Sequence, residues 1–142
     1  DNRRPVDWTD RGERLARVVA AEPALDLDDE KIRVTARALR VRREDPAAFV
    51  GEGTTYTGLP CSSPHALAFA RGDADGLRVV TVATVAAGTL AAGGGFGDAV
   101  VELPPGSWRD VLADGDDVIT GGSVSLATLL AHRPVALLVR HS

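Results

Sequence analysis

The first seven residues, Asp-Asn-Arg-Arg-Pro-Val-Asp, carry an unusual density of hydrogen-bonding groups for a terminus, where chains usually fray. Two carboxylates, Asp1 and Asp7, flank the guanidinium groups of Arg3 and Arg4. Carboxylates only accept hydrogen bonds when ionised, whereas a guanidinium only donates them. The stretch therefore has the composition of a polar binding site rather than of a solvated tail.

A second candidate pair consists of Cys61 and His65, four residues apart in the stretch CSSPH. A thiolate and an imidazole can form a nucleophilic pair, but the pair also needs an orienting group and an oxyanion site. Pro64 makes a helix across this spacing unfavourable, so we expect the two side chains to lie apart. His132 and His141 are isolated and lack metal-ligand spacing. We expect neither a catalytic residue nor a metal site in this chain.

Two loops have compositions that could suggest ion binding. In GGGFG (93–97), a strand-like segment follows, where a phosphate loop would be followed by a helix N-terminus. In GDADG (72–76), the long ligand series and the flanking helices of a calcium loop are missing. We interpret 93–97 as a loose hairpin loop and 72–76 as a polar turn.

Three arginines, Arg33, Arg37 and Arg40, would form a basic stripe along one face of a helix. Such a stripe could bind phosphate groups. The net charge of −4 and the pI of about 5.3 instead favour a solvated face, or a face that docks onto acidic neighbours. The same acidity argues against nucleic acid as a partner.

Two helices are predicted to come first in the chain. A capping-box pattern starts at Asp10 and is followed by apolar residues at helical spacing, which predicts a helix ending near Glu22. A second helix is predicted to start at Asp26 or Asp28, with further acids in its first turn. Pro46 ends this helix, because the residue before a proline is disfavoured in helical geometry. The stretch PAAF is predicted to form one further turn.

Strand signals dominate from Gly51 onward, where glycine and proline become frequent and apolar runs shorten. Five to seven strands are predicted, with HALAFAR, LRVVTVATV, AVVELP and VALLVR the clearest. A turn, PPG, separates AVVELP from WRDVL; Asp114-Gly115 suits a hairpin turn, AAGGGFGD a loop, and SLATLLAH a short helix. Segregated helices and strands predict an α+β fold with an antiparallel sheet or sandwich. We predict domains at 1–50 and 51–142.

Composition bounds the class of protein. A length of 142 residues, 44% of them hydrophobic and 25% charged, is ordinary for a soluble globular chain. Only 4% are aromatic, so we expect a core of Val, Leu and Ala. Cys61 is the only cysteine, which fits a reducing compartment, and no run of 18 apolar residues exists. We expect a cytoplasmic protein without a membrane partner, and nothing in the sequence calls for a cofactor.

The stretch DNRRPVDW resembles the end of the segment that follows the eighth barrel strand in alpha-amylase-type enzymes, Asp-Pro-Asp-Asn-Arg. Its extended form, DNRRPVD, is particularly similar to the maltooligosyltrehalose synthase family. Further along, KIRVTARALRVRREDPAAF resembles the last barrel helix of that family. Three later stretches resemble the C-terminal β-domain of that family: HALAFAR, GSWRDVLADG and SLATLLAHRPVALLVR. The resemblance covers most of the chain and is weakest at 72–97.

This resemblance implies the C-terminal part of a retaining, intramolecular transglycosylase. The intact enzyme would convert the reducing-end α-1,4 linkage of a maltooligosaccharide into an α,α-1,1 trehalose linkage. Its nucleophilic Asp, its acid/base Glu and a third carboxylate would lie upstream in a TIM-type barrel, of which residues 1–50 would be the end. The chain alone would be inactive, and its partners would be the rest of the barrel and, through it, the maltooligosaccharide substrate.

The same resemblance indicates one binding residue. In related amylase-type enzymes, the first Asp and the final Arg of the five-residue motif hold a glucose. Asp1, Asn2 and Arg3 match the last three positions. Arg3 is therefore expected to contact sugar in the intact enzyme, with Asp1, Arg4 and Asp7 as secondary candidates. The alternative is that these arginines form structural ion pairs within the barrel loop.

Two other functions remain open from the sequence. A small glucan-binding β-module without catalysis would stack sugars on exposed aromatic rings, for which Trp108, Tyr56 and Phe96 are available, whereas Trp8 lies outside the sheet. A regulatory protein could instead use the basic helix to bind a partner. Binding to glucan or to nucleic acid at physiological salt would distinguish these alternatives.

Overall fold

The computed structural model describes residues 5–20 and 23–141. The predicted site residues Asp1, Arg3 and Arg4 lie outside these ranges. The chain divides between Arg40 and Val41 into two compact units. The described helices are α1 (Trp8–Val19), α2 (Leu27–Glu44), a 3₁₀ turn (Pro46–Ala48), α3 (Ala87–Ala92) and α4 (Leu126–Leu129). The described strands are β1 (Thr55–Leu59), β2 (Ala66–Asp73), β3 (Gly76–Thr84), β4 (Val100–Asp110), β5 (Val118–Ser125) and β6 (Val135–His141).

Helix α1 begins earlier than the sequence predicted. Asp7, not Asp10, is its N-cap, because Oδ1 of Asp7 accepts hydrogen bonds from the N–H groups of Thr9 and Asp10, both at 3.0 Å. Asp10 lies in the first turn and pairs with Arg14 one turn further on. The prediction that Asp10 is the N-cap was therefore wrong. Asp7 lies three residues earlier, and its side chain can cap a helix equally well. The helix ends at Val19, and Glu22 lies outside the described residues.

Helix α2 follows the sequence prediction closely. Asp26 precedes its first residue, and Oδ1 of Asp26 accepts the N–H of Asp29 at 2.9 Å, as an N-cap does. The helix ends at Glu44, and the 3₁₀ turn Pro46–Ala48 confirms the predicted extra turn. This turn packs against β2 and β3 in the second unit. The domain boundary near Gly51 remains a prediction.

The second unit is a six-stranded antiparallel sheet in the order β1-β2-β3-β6-β4-β5, which confirms the α+β class. The sheet curls so far that the segment following β1 pairs with β4. Cys61 forms an isolated bridge with Val101, and the N–H of Ser62 donates to the carbonyl of Val100 at 2.9 Å. The curl encloses a core of the predicted Val, Leu and Ala residues and one tryptophan that was not predicted there: Ala68, Ala70, Val80, Val82, Val101, Leu103, Trp108, Leu126, Leu130, Ala136 and Leu138.

The prediction of two strands separated by a PPG turn was wrong, because the whole segment forms the single strand β4. Proline has no N–H for the ladder, so pairing with β5 is interrupted between Leu103 and Ser107. The chain bulges there and resumes the same strand, with Gly106 at a φ of 126°. Gly121 lies opposite, where an added Cβ would meet the Pro104 carbonyl oxygen. A side chain at position 121 would therefore clash with the bulge.

Two short helices connect strands in the second unit. The predicted helix in SLATLLAH is confirmed as α4, whose N-cap Ser125 accepts the N–H of Thr128 at 3.3 Å. Helix α3 was not predicted; its six residues include Gly88 and Thr89, which are weak helix formers. No helix among residues 5–20 and 23–141 is long and apolar enough to cross a membrane.

Candidate functional site

Asp7 is the predicted site residue that the structure describes. Its Oδ1 atom accepts two backbone N–H groups at the start of α1. The carboxylate therefore fixes the point at which the N-terminal stretch enters the helix. A sugar contact by Asp7, and by Arg3 in the part that is not described, stays a prediction.

One guanidinium, that of Arg14, binds three carboxylates in the first unit. Its Nε lies 2.8 and 2.9 Å from the two oxygens of Asp10. Its Nη1 lies 2.8 Å from Oδ1 of Asp26 and 2.8 Å from Oδ1 of Asp29. The hydrogen bonds that Arg14 donates to Asp26, Asp10 and Asp29, in decreasing order of effect, raise the pKa of Arg14 above its ordinary value. This cluster joins α1 to the start of α2.

Asp29 is the buried member of this cluster, with 2% of its surface exposed. It accepts the N–H of Leu25 at 3.0 Å, and Nη2 of Arg17 lies 3.0 Å from its Oδ1. The Leu25 hydrogen bond, followed by Arg14, lowers the pKa of Asp29 against the opposing effect of desolvation. Arg14 likewise lowers the pKa of Asp26. Carboxylates held ionised in this way are unsuited to donate a proton as general acids.

An apolar groove runs between the two helices, beside the predicted site stretch, and has a volume of about 440 Å³. Trp8 is 77% exposed at one side, and Leu39 is 54% exposed at the other. The remaining lining residues are Val6, Arg11, Leu15, Lys31, Ile32, Thr35 and Ala36. Such a surface is suited to burying apolar side chains of another segment.

Cys61 and His65 do not share a hydrogen-bonding partner. The Sγ of Cys61 lies 4.0 Å from the Leu59 carbonyl oxygen, and Nδ1 of His65 lies 3.3 Å from that of Val85. Burial raises the pKa of the Cys61 thiol, which is opposite to what a thiolate nucleophile requires. The pair therefore lacks the electrostatics of a catalytic site.

The glycine-rich and aspartate-rich loops have structural partners. The N–H groups of Gly93, Gly94 and Gly95 donate to carbonyls of α3, so they close the end of that helix instead of facing an anion. In the β2–β3 turn, Asp73 accepts the N–H of Asp75 and pairs with Arg78 at 2.6 Å. Among the described residues, no group of three His, Cys, Asp or Glu side chains could hold a metal ion.

The three aromatic residues considered for sugar stacking differ in their surroundings. Trp108 is fully buried, and its Nε1 donates to the Pro104 carbonyl at 2.9 Å, so the expectation of an available ring was wrong. Phe96 packs against the core. Tyr56 remains 60% exposed on β1. Trp108 is buried because the β4 bulge supplies an acceptor for its indole N–H inside the sheet.

Sequence reasoning missed the Arg14 cluster. The Asp10–Arg14 spacing of four residues was a readable signal, because residues at this spacing meet on a helix surface. The contacts from Arg14 and Arg17 to Asp29 depend on how α1 crosses α2, which residue spacing alone does not determine. For the predicted basic stripe, the structure buries Arg33, half-buries Arg37 and exposes Arg40.

Comparison with known proteins identifies proteins that are similar to this chain in sequence and in fold. No protein-family model matches the chain. Two curated proteins of Mycobacterium tuberculosis, from strains CDC 1551 / Oshkosh and ATCC 25618 / H37Rv, carry the name "Putative maltooligosyl trehalose synthase". Each is 39% identical over 142 residues, which is 99% of this chain and 16% of the relative. The chain is a relative of a C-terminal part of maltooligosyltrehalose synthases.

Solved structures agree with this relationship. The maltooligosyltrehalose synthase of Arthrobacter ramosus, and a point mutant of it, superpose with a TM-score of 0.81 at 36% identity. The match covers 99% of this chain and 18% of the Arthrobacter chain. This chain therefore spans less than a fifth of the length of the synthases that it matches.

Proposed function

We propose that the chain is the C-terminal portion of a maltooligosyltrehalose synthase. The observation that carries this proposal is the match over 99% of the chain, in sequence at 39% identity and in fold at a TM-score of 0.81. A small unrelated domain would not be expected to match nearly the whole chain in both sequence and fold. The relatives' much greater length leaves room for the catalytic barrel outside this segment.

The parent enzyme would convert the reducing-end α-1,4 linkage of a maltooligosaccharide into an α,α-1,1 linkage by intramolecular transglycosylation. A retaining reaction needs a nucleophilic carboxylate and an acid/base carboxylate about 5–5.5 Å apart across the scissile bond. The carboxylates that cluster here, Asp10, Asp26 and Asp29, instead share the guanidinium of Arg14. We therefore assign the catalytic pair to the upstream barrel and propose that this segment alone has no activity.

Within the parent, the chain would have a structural and a substrate-positioning role. Helices α1 and α2 would be the last helices of the barrel, and the β-sheet unit would be its C-terminal domain. Arg3, five residues before the first helix begins at Trp8, would contact sugar in the barrel's mouth. The enzyme would work in the cytoplasm, where the single Cys61 stays reduced.

Reading the coding sequence immediately upstream of Asp1 tests this proposal. The proposed motif requires Asp-Pro in the two positions before Asp1, preceded by the rest of a (β/α)₈ barrel. Incubation of the 142-residue chain with maltopentaose is the companion test, and carbon-13 NMR should detect no α,α-1,1 linkage. A different pair of residues upstream, or product formation by the chain alone, would overturn the assignment.

A further inference from the structure

Half of the few aromatic side chains of this protein gather at one edge of the sheet. The chain has three Phe, two Trp and one Tyr. Phe49 and Tyr56 contact the guanidinium of Arg71, and Phe69 stacks against Tyr56. The rings of Tyr56 and Phe69 are stacked, with centroids 4.9 Å apart and planes inclined by 26°. The Arg71 Cζ atom lies 5.2 Å from the Tyr56 ring centre and 5.8 Å from that of Phe49. We call this cluster the Tyr56 platform.

Strand register exposes the Tyr56 platform to solvent. Tyr56 lies opposite Arg71, and Gly58 lies opposite Phe69, in the antiparallel pair of β1 and β2. Gly58 has no side chain, and a Cβ added there would meet nothing within 4 Å, so the space above Phe69 is open to the ring of Tyr56. Tyr56 is still 60% exposed despite these contacts. The platform is therefore an aromatic surface backed by packed side chains and open on its outer side.

Arg71 adds unused hydrogen-bond donors to this surface. Among the described residues, no carboxylate lies within ion-pair distance of Arg71, and its contacts are with the two ring faces. Because these ring contacts do not use an oxygen or nitrogen acceptor, the N–H groups of the guanidinium stay available to donate to a ligand. Arg78, on the neighbouring strand, is different, because Asp45 and Asp73 lie 2.9 and 2.6 Å from its nitrogens. Arg71 therefore provides an unneutralised donor fork next to the exposed ring of Tyr56.

We propose that the Tyr56 platform binds a pyranose oligosaccharide. The C–H face of a pyranose ring is apolar and can be buried against Tyr56, while the ring hydroxyls accept hydrogen bonds from Arg71. A rigid aromatic ring with a polar group beside it loses little conformational entropy when a ligand binds. The choice of a linear α-1,4-glucan as the ligand rests on the proposed function, whereas the site itself rests on the geometry.

Other occupants fit the platform less well. A nucleic acid would also stack on Tyr56, but binding of its backbone needs clustered basic residues. The platform has one arginine, and the chain has a net charge of −4. A protein partner would cover Tyr56 in a larger assembly, and the 142-residue chain would then bind no sugar there. Both alternatives are outcomes of the experiment below.

Tyr56 is its own reporter, because it is the only tyrosine in the chain. We would label tyrosine with carbon-13 in the 142-residue chain and follow its ring signals by NMR while adding maltoheptaose. The proposal predicts a saturable shift, with a dissociation constant in the millimolar range typical of a small exposed site. A single-stranded oligonucleotide at the same concentration should leave the signals unchanged at 150 mM salt.

Matched variants separate binding from folding. Arg71→Lys keeps the charge but loses the planar fork, and it should weaken maltoheptaose binding by about tenfold while the tyrosine signal remains available. Val118→Ala, at an exposed position on β5, should leave the affinity unchanged. No shift up to about 20 mM maltoheptaose, well above a millimolar dissociation constant, would overturn the proposal. So would equal binding by Arg71→Lys, or a response to the oligonucleotide alone.

The titration involves no catalysis, so the two proposals fail separately. Absence of a Tyr56 response leaves the assignment to a synthase intact. Failure of the parent protein to form a trehalose linkage would refute that assignment, and a maltoheptaose response at Tyr56 would still stand.

Discussion

Arg14 and Asp29 join the two N-terminal helices through a 2.8 Å contact between Nη1 and Oδ1. Asp29 is buried, and Arg14 extends from α1 to reach it while also binding Asp10 and Asp26. Removal of one partner from a buried pair costs more than the pair contributes, because the other charge is left without a counter-ion. The contact therefore controls how α1 and the start of α2 hold together.

Asp29→Ala should lower the stability of the helical unit substantially, because Arg14, Arg17 and the N–H of Leu25 all lose a partner. The urea midpoint followed by circular dichroism at 222 nm measures this effect. Asp28→Ala is the matched control, since Asp28 is 43% exposed and pairs only at 3.4–3.5 Å. An exposed pair of this kind contributes about 0–1 kcal/mol. Equal losses in the two variants would contradict the role assigned to Asp29.

Acid should weaken the same cluster. Hydrogen bonds from Leu25 to Asp29, and from Arg14 to Asp26, lower the pKa of each carboxyl below its ordinary value of 3.8. A lowered pKa in the folded state gives stability that is present above the ordinary value and lost as the pH falls below it. We expect helix unfolding to become easier below about pH 4. In Asp29→Asn, this loss between pH 4 and pH 2 should be smaller; an unchanged pH profile would refute the explanation.

Helix α2, the clearest strands and the α+β class were predictable because apolar periodicity fixes which face each element buries. The start of α1 was not, because Asp7 and Asp10 are chemically equivalent caps and only the fold selects between them. The PPG segment correctly indicated that strand pairing is interrupted there, because proline has no N–H to donate. The sequence could not distinguish a turn between two strands from a bulge within one strand. Trp108 was likewise assigned to the surface, since its buried acceptor, Pro104, exists only once that bulge has formed.

In the sheet unit, the pKa of Asp110 is raised, whereas the pKa values of Asp26 and Asp29 are lowered. Its Oδ1 accepts the N–H groups of Leu112 and Leu137 at 2.9 and 3.1 Å, but burial outweighs them and raises the pKa of the carboxyl. A raised pKa favours folding at low pH, and this contribution is lost as the pH rises through it. Asp110→Asn, which keeps an oxygen acceptor, should therefore be more stable than the parent chain at pH 7, with the gap closing below about pH 4.

The comparison variant at this position is Asp110→Ala, which leaves both N–H groups without that acceptor. We expect it to lower the free energy of unfolding by about 1–3 kcal/mol. Thermal melts of the three proteins at pH 7 and pH 3.5 supply the measurement. A destabilised Asp110→Asn with an unchanged gap at both pH values would refute the burial argument.

The groove between α1 and α2 should be covered in the parent enzyme. We expect the exposed apolar surface around Trp8 to make the 142-residue chain self-associate, and Leu39→Glu should reduce this self-association because it places a charge in that surface. In the parent, the same change would bury an unpaired charge and should cost on the order of 2 kcal/mol. Sedimentation of the chain and thermal melting of the parent measure the two effects. Val118→Glu, at an exposed position on β5, is the control; equal effects of both variants on the parent would argue against a covered groove.

Arg3→Ala tests the sugar contact in the intact enzyme. Loss of a guanidinium that binds substrate hydroxyls should lower kcat/KM for maltopentaose by about tenfold or more, at unchanged thermal stability. Arg3→Lys should restore part of the loss, because it keeps the charge without the fork. Unchanged kinetics in Arg3→Ala would leave only the structural ion-pair role for this residue.

We propose that this chain completes a trehalose-forming transglycosylase. The most direct test is carbon-13 NMR of maltopentaose incubated with the protein encoded by the complete gene. We predict that the reducing-end signals disappear and that signals of an α,α-1,1 linkage replace them. Release of free glucose or shorter maltooligosaccharides without that linkage, or no reaction by a folded protein, would contradict the claim.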